Sequence, residues 1–201
     1  PPIAPAAALG GLNLDARQIR RARSLTGAGV GYVVGDGCRL PFADGSLDTV
    51  LAVECVFHFP SRKAFLREAA RVLRPGGRVA LSDFVVAPGG LGRLAEGAKA
   101  AAVPESDWYG ASSSPVTSAG YERMTRAAGL DLVIDDDITT ETLPTYPAMR
   151  RLYHEAGLDD GVSATTYLEA VATAGLVQYR VLAAEKPTSR RAQPDGIDLR
   201  D

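Results

Sequence analysis

The segment GDGCRLPFADGSLDTVLAVECVFHFP occupies residues 35–60, and FLREAARVLRPGGRVALSD follows at residues 65–83. Within them, the apolar run Leu47–Val53 predicts a buried strand, and Lys63–Leu73 carries apolar side chains at the spacing of an amphipathic helix. Arg78–Val86 is the next predicted strand. A strand, a helix and a strand in this order predict two parallel strands joined by a right-handed crossover, which is the unit of an α/β sheet.

The same alternation continues on both sides of this unit. Upstream, an apolar stretch ends at Leu14, DARQIRRARSL (residues 15–25) predicts a surface helix, and Val30–Val34 predicts a strand. Downstream, the periodicity predicts three helices and two strands: Ser118–Ala128, Tyr146–Ala156 and Ala164–Ala174 as helices, and Leu130–Asp135 and Val177–Glu185 as strands.

One stretch interrupts the alternation. Residues 89–117 contain several Gly, Pro and Ser residues, a short helix predicted near Leu91–Ala101, and the aromatic pair Trp108-Tyr109. We expect this stretch to be an insertion that lies over a site like a lid, within one domain that spans residues 1–187. The tail, residues 188–201, is expected to be disordered.

The size and composition of the chain favour some classes of protein and argue against others. The chain has 201 residues, 46% of them apolar and 23% charged, with a net charge of −2, which fits one soluble globular domain. Without a basic run before the tail, nothing favours a nucleic-acid partner. No window is apolar enough for a membrane span, and residues 1–10 do not read as a secretory signal. The two cysteines, Cys38 and Cys55, form no disulfide framework, so a cytoplasmic location is expected.

Polar residues follow several of the predicted strands. Ligands of open parallel sheets bind beyond the carboxyl ends of the strands, so functional side chains are expected in four places. These are Asn13–Gln18, Asp36–Leu40, Glu54–Phe59 and Asp83. For any one of them, the alternative is a residue that is polar only because it meets water at the end of a buried strand.

The two quoted segments together resemble the region from the third to the fifth strand of class I S-adenosylmethionine-dependent methyltransferases. They are most similar to the methyltransferases that act on hydroxyl groups of sugars and natural products, as in secondary metabolism. GLNLDARQ (residues 11–18) is similar to the second strand of that group and of the cyclopropane fatty-acid synthase relatives. DITTETLPTY (residues 137–146) and the closing strand before Glu185 continue the resemblance, which covers roughly residues 11–187.

The resemblance implies a Rossmann-like, doubly wound α/β fold with a seven-stranded sheet, mostly parallel with an antiparallel last strand. Family members begin with a strand and a glycine-rich loop that holds the methionine end of the cofactor, and nothing before Leu12 has this pattern. Gly10-Gly11 is not that motif, and the prolines at positions 1, 2 and 5 do not suit a central strand. We therefore expect a sheet that lacks its first strand, with two strand edges left unpaired.

Three explanations of the missing strand stay open at this point. The chain is an N-terminally truncated piece of a longer product, it pairs with a partner that supplies the strand, or it is a degenerate relative that no longer binds cofactor.

The resemblance also implies a site for S-adenosyl-L-methionine. Asn13 stands where many relatives hold the ribose with a carboxylate, and Gln18 helps to hold the ribose in the similar subgroup. Asp36 matches the residue that accepts a hydrogen bond from the adenine amino group. The full set of implied cofactor-binding residues is Asn13, Leu14, Gln18, Asp36, Gly37, Cys38 and Glu54.

His58 aligns with the histidine that serves as general base in similar sugar O-methyltransferases. A hydroxyl acceptor must lose a proton, which suits an imidazole. Asp83 matches an acidic residue at the same active site and is expected to orient the imidazole or to hold the acceptor. The alternative is that His58 caps a helix and Asp83 is a strand-end carboxylate. Cys55 is read as a small core residue, and the sequence contains no Cys–His spacing typical of a metal site.

The favoured function is therefore methyl transfer from S-adenosylmethionine to a small, hydroxylated acceptor such as a sugar, natural product or lipid. A C-methylating or lipid-modifying enzyme is the near alternative. A non-catalytic methyltransferase-like partner or binding subunit, or an inactive fragment, is the alternative from another class. A nicotinamide-dependent oxidoreductase is disfavoured because no G-x-G-x-x-G follows a first strand. The expected partners are a small-molecule acceptor and, as an option, a second copy of the chain in a homodimer.

Overall fold

The computed structural model describes residues 9–26, 29–90, 92–93 and 115–188. Its six strands are β1 (Leu9–Asn13), β2 (Val30–Val34), β3 (Leu47–Ala52), β4 (Leu73–Val86), β5 (Asp131–Asp137) and β6 (Val177–Glu185). The α-helices in these ranges are α1 (Ala16–Leu25), α2 (Arg62–Val72), α3 (Ser118–Ala127), α4 (Thr139–Thr142), α5 (Thr145–Glu155) and α6 (Asp159–Thr173). A short 3₁₀ helix covers Val56–His58.

The described strands form two separate sheets. β1 pairs in parallel with β2, whereas the second sheet has the order β3-β4-β6-β5. In it, β3 runs parallel to β4, and β6 is antiparallel to both β4 and β5. The predicted antiparallel last strand is therefore confirmed. The predicted break in the sheet is also present, because no described strand lies between β1 and β3.

The main hydrophobic cluster lies against the larger sheet. α2 buries Phe65, Leu66 and Ala69 on one helical face, because these residues recur at spacings of one, three and four. They pack with buried residues of the sheet and of α3, including Leu182 and Tyr121. The two-stranded sheet contributes no residue to this cluster.

The break leaves apolar side chains exposed. In β3 the buried Ala52 alternates with Leu51, which is 69% exposed, and the following Val53 is 58% exposed. Leu9 in β1 is 59% exposed. Since successive side chains of a strand point to opposite faces, Leu51 and Val53 lie on the face of β3 that is not packed against α2.

Hydrogen-bonding side chains mark the beginnings of the helices near the strand ends. Asp15 caps α1 by accepting from the N–H of Arg17, Ser61 caps α2 through Ala64, and Thr117 caps α3 through Gly120. Such caps satisfy backbone donors that have no partner inside the helix. Each of these three helices therefore begins with one of its backbone donors satisfied by the capping side chain.

One predicted boundary is wrong. The sequence predicted that this strand would begin at Arg78, but β4 already begins at Leu73, which pairs with Leu47. The pairing is irregular here, because Thr49 already pairs with Arg78 and Gly76 has a φ of 77°. The stretch is held by Lys186, whose carbonyl accepts the N–H of Gly76 at 2.7 Å and whose N–H donates to the carbonyl of Gly77 at 2.8 Å. This pairing comes from the far end of the chain, so the local pattern did not indicate it.

The other predicted elements agree with the structure to within a few residues, except that α6 begins at Asp159 rather than at Ala164. The short helix α4 was not predicted. The helix expected near Leu91–Ala101, apart from residues 92–93, and the pair Trp108-Tyr109 lie outside the described residues, as does the tail from residue 189. In the described ranges, no helix is both long and apolar enough to cross a bilayer.

Candidate functional site

The carboxyl ends of β1 and β2 bring Asn13 and Asp36 close together in space. Asn13 pairs with Val34, and its carbonyl accepts the N–H of Gly35 at 3.0 Å, one residue before Asp36. The side-chain Oδ1 of Asn13 accepts from the N–H of Asp15 at 2.8 Å. Its amide NH2 group has no partner within the described ranges and is free to donate to a ligand. Leu14 and Gln18 are both exposed at this end of the sheet.

Asp36 forms a tight turn in which one carboxylate oxygen is used and one is available. Its Oδ1 accepts from the N–H of Cys38 at 2.8 Å, and its carbonyl accepts from the N–H of Arg39 at 3.0 Å. In the described part of the chain, Oδ2 has no donor. A half-buried carboxylate with a free oxygen can accept a hydrogen bond from an amino group of a ligand.

Gly37 is buried beneath the ring of Phe59. A Cβ atom at position 37 would lie 2.7 Å from Cζ of Phe59, closer than carbon atoms pack. Glycine is therefore required at this position because the backbone of residue 37 lies too close to the ring of Phe59 to leave room for a side chain. Cys38 donates its Sγ–H to the carbonyl of Ser61 at 3.4 Å, and burial raises the pKa of its thiol. These contacts attach the Asp36 turn to the beginning of α2 on the larger sheet.

Glu54 follows β3 in an unusual backbone conformation. Its φ of 54° is the one positive φ among the described non-glycine residues, and its N–H donates to Oγ of Ser82 at 3.2 Å. The residue is exposed overall, but its carboxyl group is partly desolvated. This desolvation and the negative charge of Asp83 raise the pKa of Glu54. A positive φ in such a residue is strained and is typical of functional loops.

Two residues near Glu54, Cys55 and Tyr146, also have raised pKa values, and the charge of Glu54 contributes to both shifts. Burial, followed by the charges of Asp83 and Glu54, raises the pKa of Cys55 to about 11, so this residue is a neutral thiol, as expected for a packing residue. Tyr146 of α5 is only 5% exposed, and burial together with the charges of Glu54 and Glu169 raises its pKa. Helix α5 therefore approaches the end of β3.

His58 is the last residue of the 3₁₀ helix and is exposed. Its ring lies against that of Phe57, with the centroids 4.2 Å apart. Neither ring nitrogen has a hydrogen-bond partner among the described residues. The imidazole is therefore accessible and able to take up a proton from a ligand.

Asp83 forms no hydrogen bond with His58, so the structure does not show the direct contact by which it was expected to orient the imidazole. The side chain is fully buried. Its Oδ2 accepts from Nε of Arg62 at 2.5 Å and from the hydroxyl of Tyr121, and its Oδ1 accepts from Arg62 at 3.3 Å and from the N–H of Phe84 at 2.8 Å. All of its donors are protein groups, and His58 is not one of them. The alternative reading, a structural carboxylate, fits this geometry.

The partners Arg62 and Tyr121 were not recognised from the sequence. Arg62 is separated from Asp83 by 21 residues and Tyr121 by 38, so no local motif links them. The only signal available was an arginine directly before the predicted helix Lys63–Leu73, near a helix beginning, where a basic residue is unfavourable unless it has a partner.

Residues 3–81 match the model of the methyltransferase domain family. The matched stretch includes both Asp36 and the loop with Glu54 and His58. Over this stretch the chain is similar to methyltransferase domains. Two curated relatives extend this match beyond the first strands. The methyltransferase GfsG of Streptomyces halstedii is 38% identical over 120 residues, which are 60% of this chain and 41% of the relative.

The second relative is the 27-O-demethylrifamycin SV methyltransferase of Amycolatopsis mediterranei. It is 33% identical over 141 residues, which are 68% of this chain and 50% of the relative. The chain thus spans about half the length, or less, of these curated relatives.

Solved structures give the same fold at low sequence identity. The phosphoethanolamine N-methyltransferase 2 of Haemonchus contortus, in complex with phosphomonomethylethanolamine and S-adenosylhomocysteine, superposes with a TM-score of 0.70 at 19% identity, covering 89% of this chain and 43% of that one. The [4+2]-cyclase SpnF superposes with a TM-score of 0.68 at 20% identity, covering 92% of this chain and 68% of that one. Because one of these neighbours is named as a cyclase, the methyltransferase fold alone does not define the reaction.

Proposed function

We propose that this chain binds S-adenosyl-L-methionine at the carboxyl ends of its strands and methylates a hydroxyl group of a small molecule. The observation that carries the proposal is the pairing of β1 with β2, which sets Asn13 opposite Val34, two residues before Asp36; among the described residues, the amide NH2 of Asn13 and Oδ2 of Asp36 have no partner. A donor and an acceptor at adjoining strand ends suit an adenosine, which offers hydroxyl groups on the ribose and an amino group on the base.

The residues present fit the adenosine part of this cofactor. Asp36 would accept from the adenine amino group, and Asn13 and Gln18 would bind the ribose hydroxyls. The turn formed by Gly37 and Cys38 is fixed by the ring of Phe59, so it would present its backbone to the base with little rearrangement. Leu14 and Glu54 complete the proposed set. When bound, S-adenosylmethionine supplies a methyl group on a positively charged sulfur.

On the acceptor side, His58 would take the proton of the substrate hydroxyl at a ring nitrogen. The structure supports this role because the imidazole is exposed and its nitrogens have no partner within the described ranges. The protein must mainly align the acceptor oxygen with the methyl group, since such a displacement gains most from orientation. The curated relative named for O-methylation of a rifamycin favours a hydroxylated natural product as the class of acceptor.

Calorimetric titration with S-adenosylhomocysteine tests the cofactor site. We expect Asp36→Ala to weaken binding by about 1–3 kcal/mol, or roughly tenfold to a hundredfold, because the amino group of the adenine would lose its acceptor. Asp136→Ala is the matched control, since Asp136 is an exposed carboxylate of β5 without a described partner. Equal binding by the two variants would refute the placement of the adenine at Asp36.

The role of His58 is tested by turnover. His58→Ala should lower turnover by roughly 10²-fold or more if the imidazole is the general base. His154→Ala, which changes the only other histidine, should leave turnover unchanged. A His58→Ala variant with full activity would assign proton removal to another group.

The divided sheet is the observation that favours a second candidate, a non-catalytic binding or partner subunit. If the folded chain fails to bind S-adenosylhomocysteine at all, the six described strands do not suffice for cofactor binding, and the second candidate is preferred for this chain on its own.

A further inference from the structure

We propose that Arg62 and Tyr121 are positioning residues which, through Asp83, fix the loop that presents Glu54 and His58. We call Arg62, Asp83 and Tyr121 the Asp83 clamp. The inference rests on the proposed function of His58, but it concerns residues that neither the family match nor the sequence pattern assigned.

The clamp joins three elements of the fold inside the protein. Arg62 is the first residue of α2, Asp83 belongs to β4 and Tyr121 lies in the first turn of α3. Their exposed fractions are 7%, 0% and 0%. A buried carboxylate is tolerated only when it is paired and hydrogen-bonded, and here three protein groups supply four contacts to its two oxygens.

The clamp reaches the loop from its downstream end. Arg62 stands four residues after His58 and directly after Ser61, whose hydroxyl caps α2 by accepting the N–H of Ala64 at 3.1 Å. Holding the Arg62 side chain against Asp83 therefore fixes the start of α2. The clamp thereby also restrains residues 59–61, which connect His58 to the start of α2.

A second contact reaches the 3₁₀ helix directly. The N–H of Phe84 donates to Oδ1 of Asp83 at 2.8 Å, and the ring of Phe84 meets the ring of Phe57 edge-on at 5.6 Å. Phe57 is 7% exposed and stands immediately before the exposed His58. The helix is thus anchored by a buried aromatic residue whose partner is itself tied to the clamp.

Asp83 and His58 therefore have different roles in the proposed site. Asp83 has no oxygen available for a ligand, so it acts on the site only through the groups it holds. In the part of the chain that the structure describes, the ring nitrogens of His58 have no partner, so the orientation of the ring depends on the backbone that carries it. The clamp supplies that orientation without occupying the imidazole, which leaves both nitrogens available to an acceptor.

The test is histidine-ring NMR of the folded chain, which needs neither cofactor nor turnover. The protein has two histidines, so His154 on α5 serves as an internal reference. We expect Tyr121→Phe and Arg62→Lys each to displace or broaden the ring signals of His58 by more than a line width. The signals of His154 should not change.

Thr125→Val is the matched control. It removes another buried hydroxyl from α3, one turn away, where Thr125 is 2% exposed and donates to the carbonyls of Tyr121 and Glu122. A purely structural role would make Thr125→Val disturb His58 as much as Tyr121→Phe does, and that result would overturn the proposal, as would unchanged His58 signals in both clamp variants. Loss of cofactor binding in the wild-type chain would instead refute the proposed function while leaving this readout intact.

Discussion

The exposed side of β3 predicts that the chain associates with itself. Leu51 is 69% exposed on a strand whose outer edge is unpaired in the described sheet. Full burial of a leucine side chain stabilises by about 1.5–3 kcal/mol, so covering the exposed part of Leu51 stabilises by about 1–2 kcal/mol. Pairing of the unpaired backbone adds to this, because a free strand edge is a template for another strand.

Leu51→Lys removes this apolar surface and adds a charge that opposes edge-to-edge pairing. We expect self-association to weaken by roughly tenfold or more, since about 1.4 kcal/mol corresponds to a factor of ten. The assay is sedimentation velocity over a concentration series of the wild-type and variant chains.

Leu152→Lys is the control, because Leu152 is 62% exposed but lies on helix α5, where no backbone edge is open. The reasoning is refuted if both lysine variants weaken association equally, or if the wild-type chain stays monomeric at every concentration reached.

Two further predictions concern the site. Gly37→Ala should destabilise the fold by about 1–3 kcal/mol, the usual range for overpacking, because its Cβ would lie 2.7 Å from the ring of Phe59; Gly10→Ala, whose Cβ meets nothing closer than 3.7 Å, should cost less in the same urea titration. Glu54→Gln should raise the urea midpoint at about pH 7.5 but not at about pH 3.5. The raised pKa of Glu54 means that its stabilising contribution is complete below the ordinary value of 4.5 and is lost as the pH rises, so a gain of equal size at both pH values would contradict the assignment.

The elements that could be predicted from the sequence are those with a strong local pattern. Val30–Val34 and Val177–Glu185 have the bounds expected from their β-branched and apolar runs. The beginning of β4 at Leu73 was missed because it depends on pairing with Leu47 and on contacts with Lys186, which lies 113 residues after Leu73. Local propensity cannot report a partner so distant in the chain.

The residues of the candidate site also fall into those that could be predicted from the sequence and those that could not. Asn13, Asp36 and His58 could be selected because each follows a strand, and strand ends converge at one edge of a sheet. The function of Asp83 could not be read from its position in β4, because what decides it is a pair of side chains from α2 and α3. Those partners became visible only when the packing of the three elements was known.

The position of β6 bears on how the protein is made. This strand lies between β4 and β5, and the ammonium group of the following Lys186 donates to the carbonyls of Ala70 and Leu73 at 2.7 and 2.6 Å, at the end of α2. During synthesis on the ribosome, β4 and β5 emerge before the strand that joins them. The larger sheet therefore closes only after residues 177–186 have left the exit tunnel. Until then β5 has no partner in this sheet and β4 is paired only with β3, so the nascent chain carries open strand edges that chaperones can recognise.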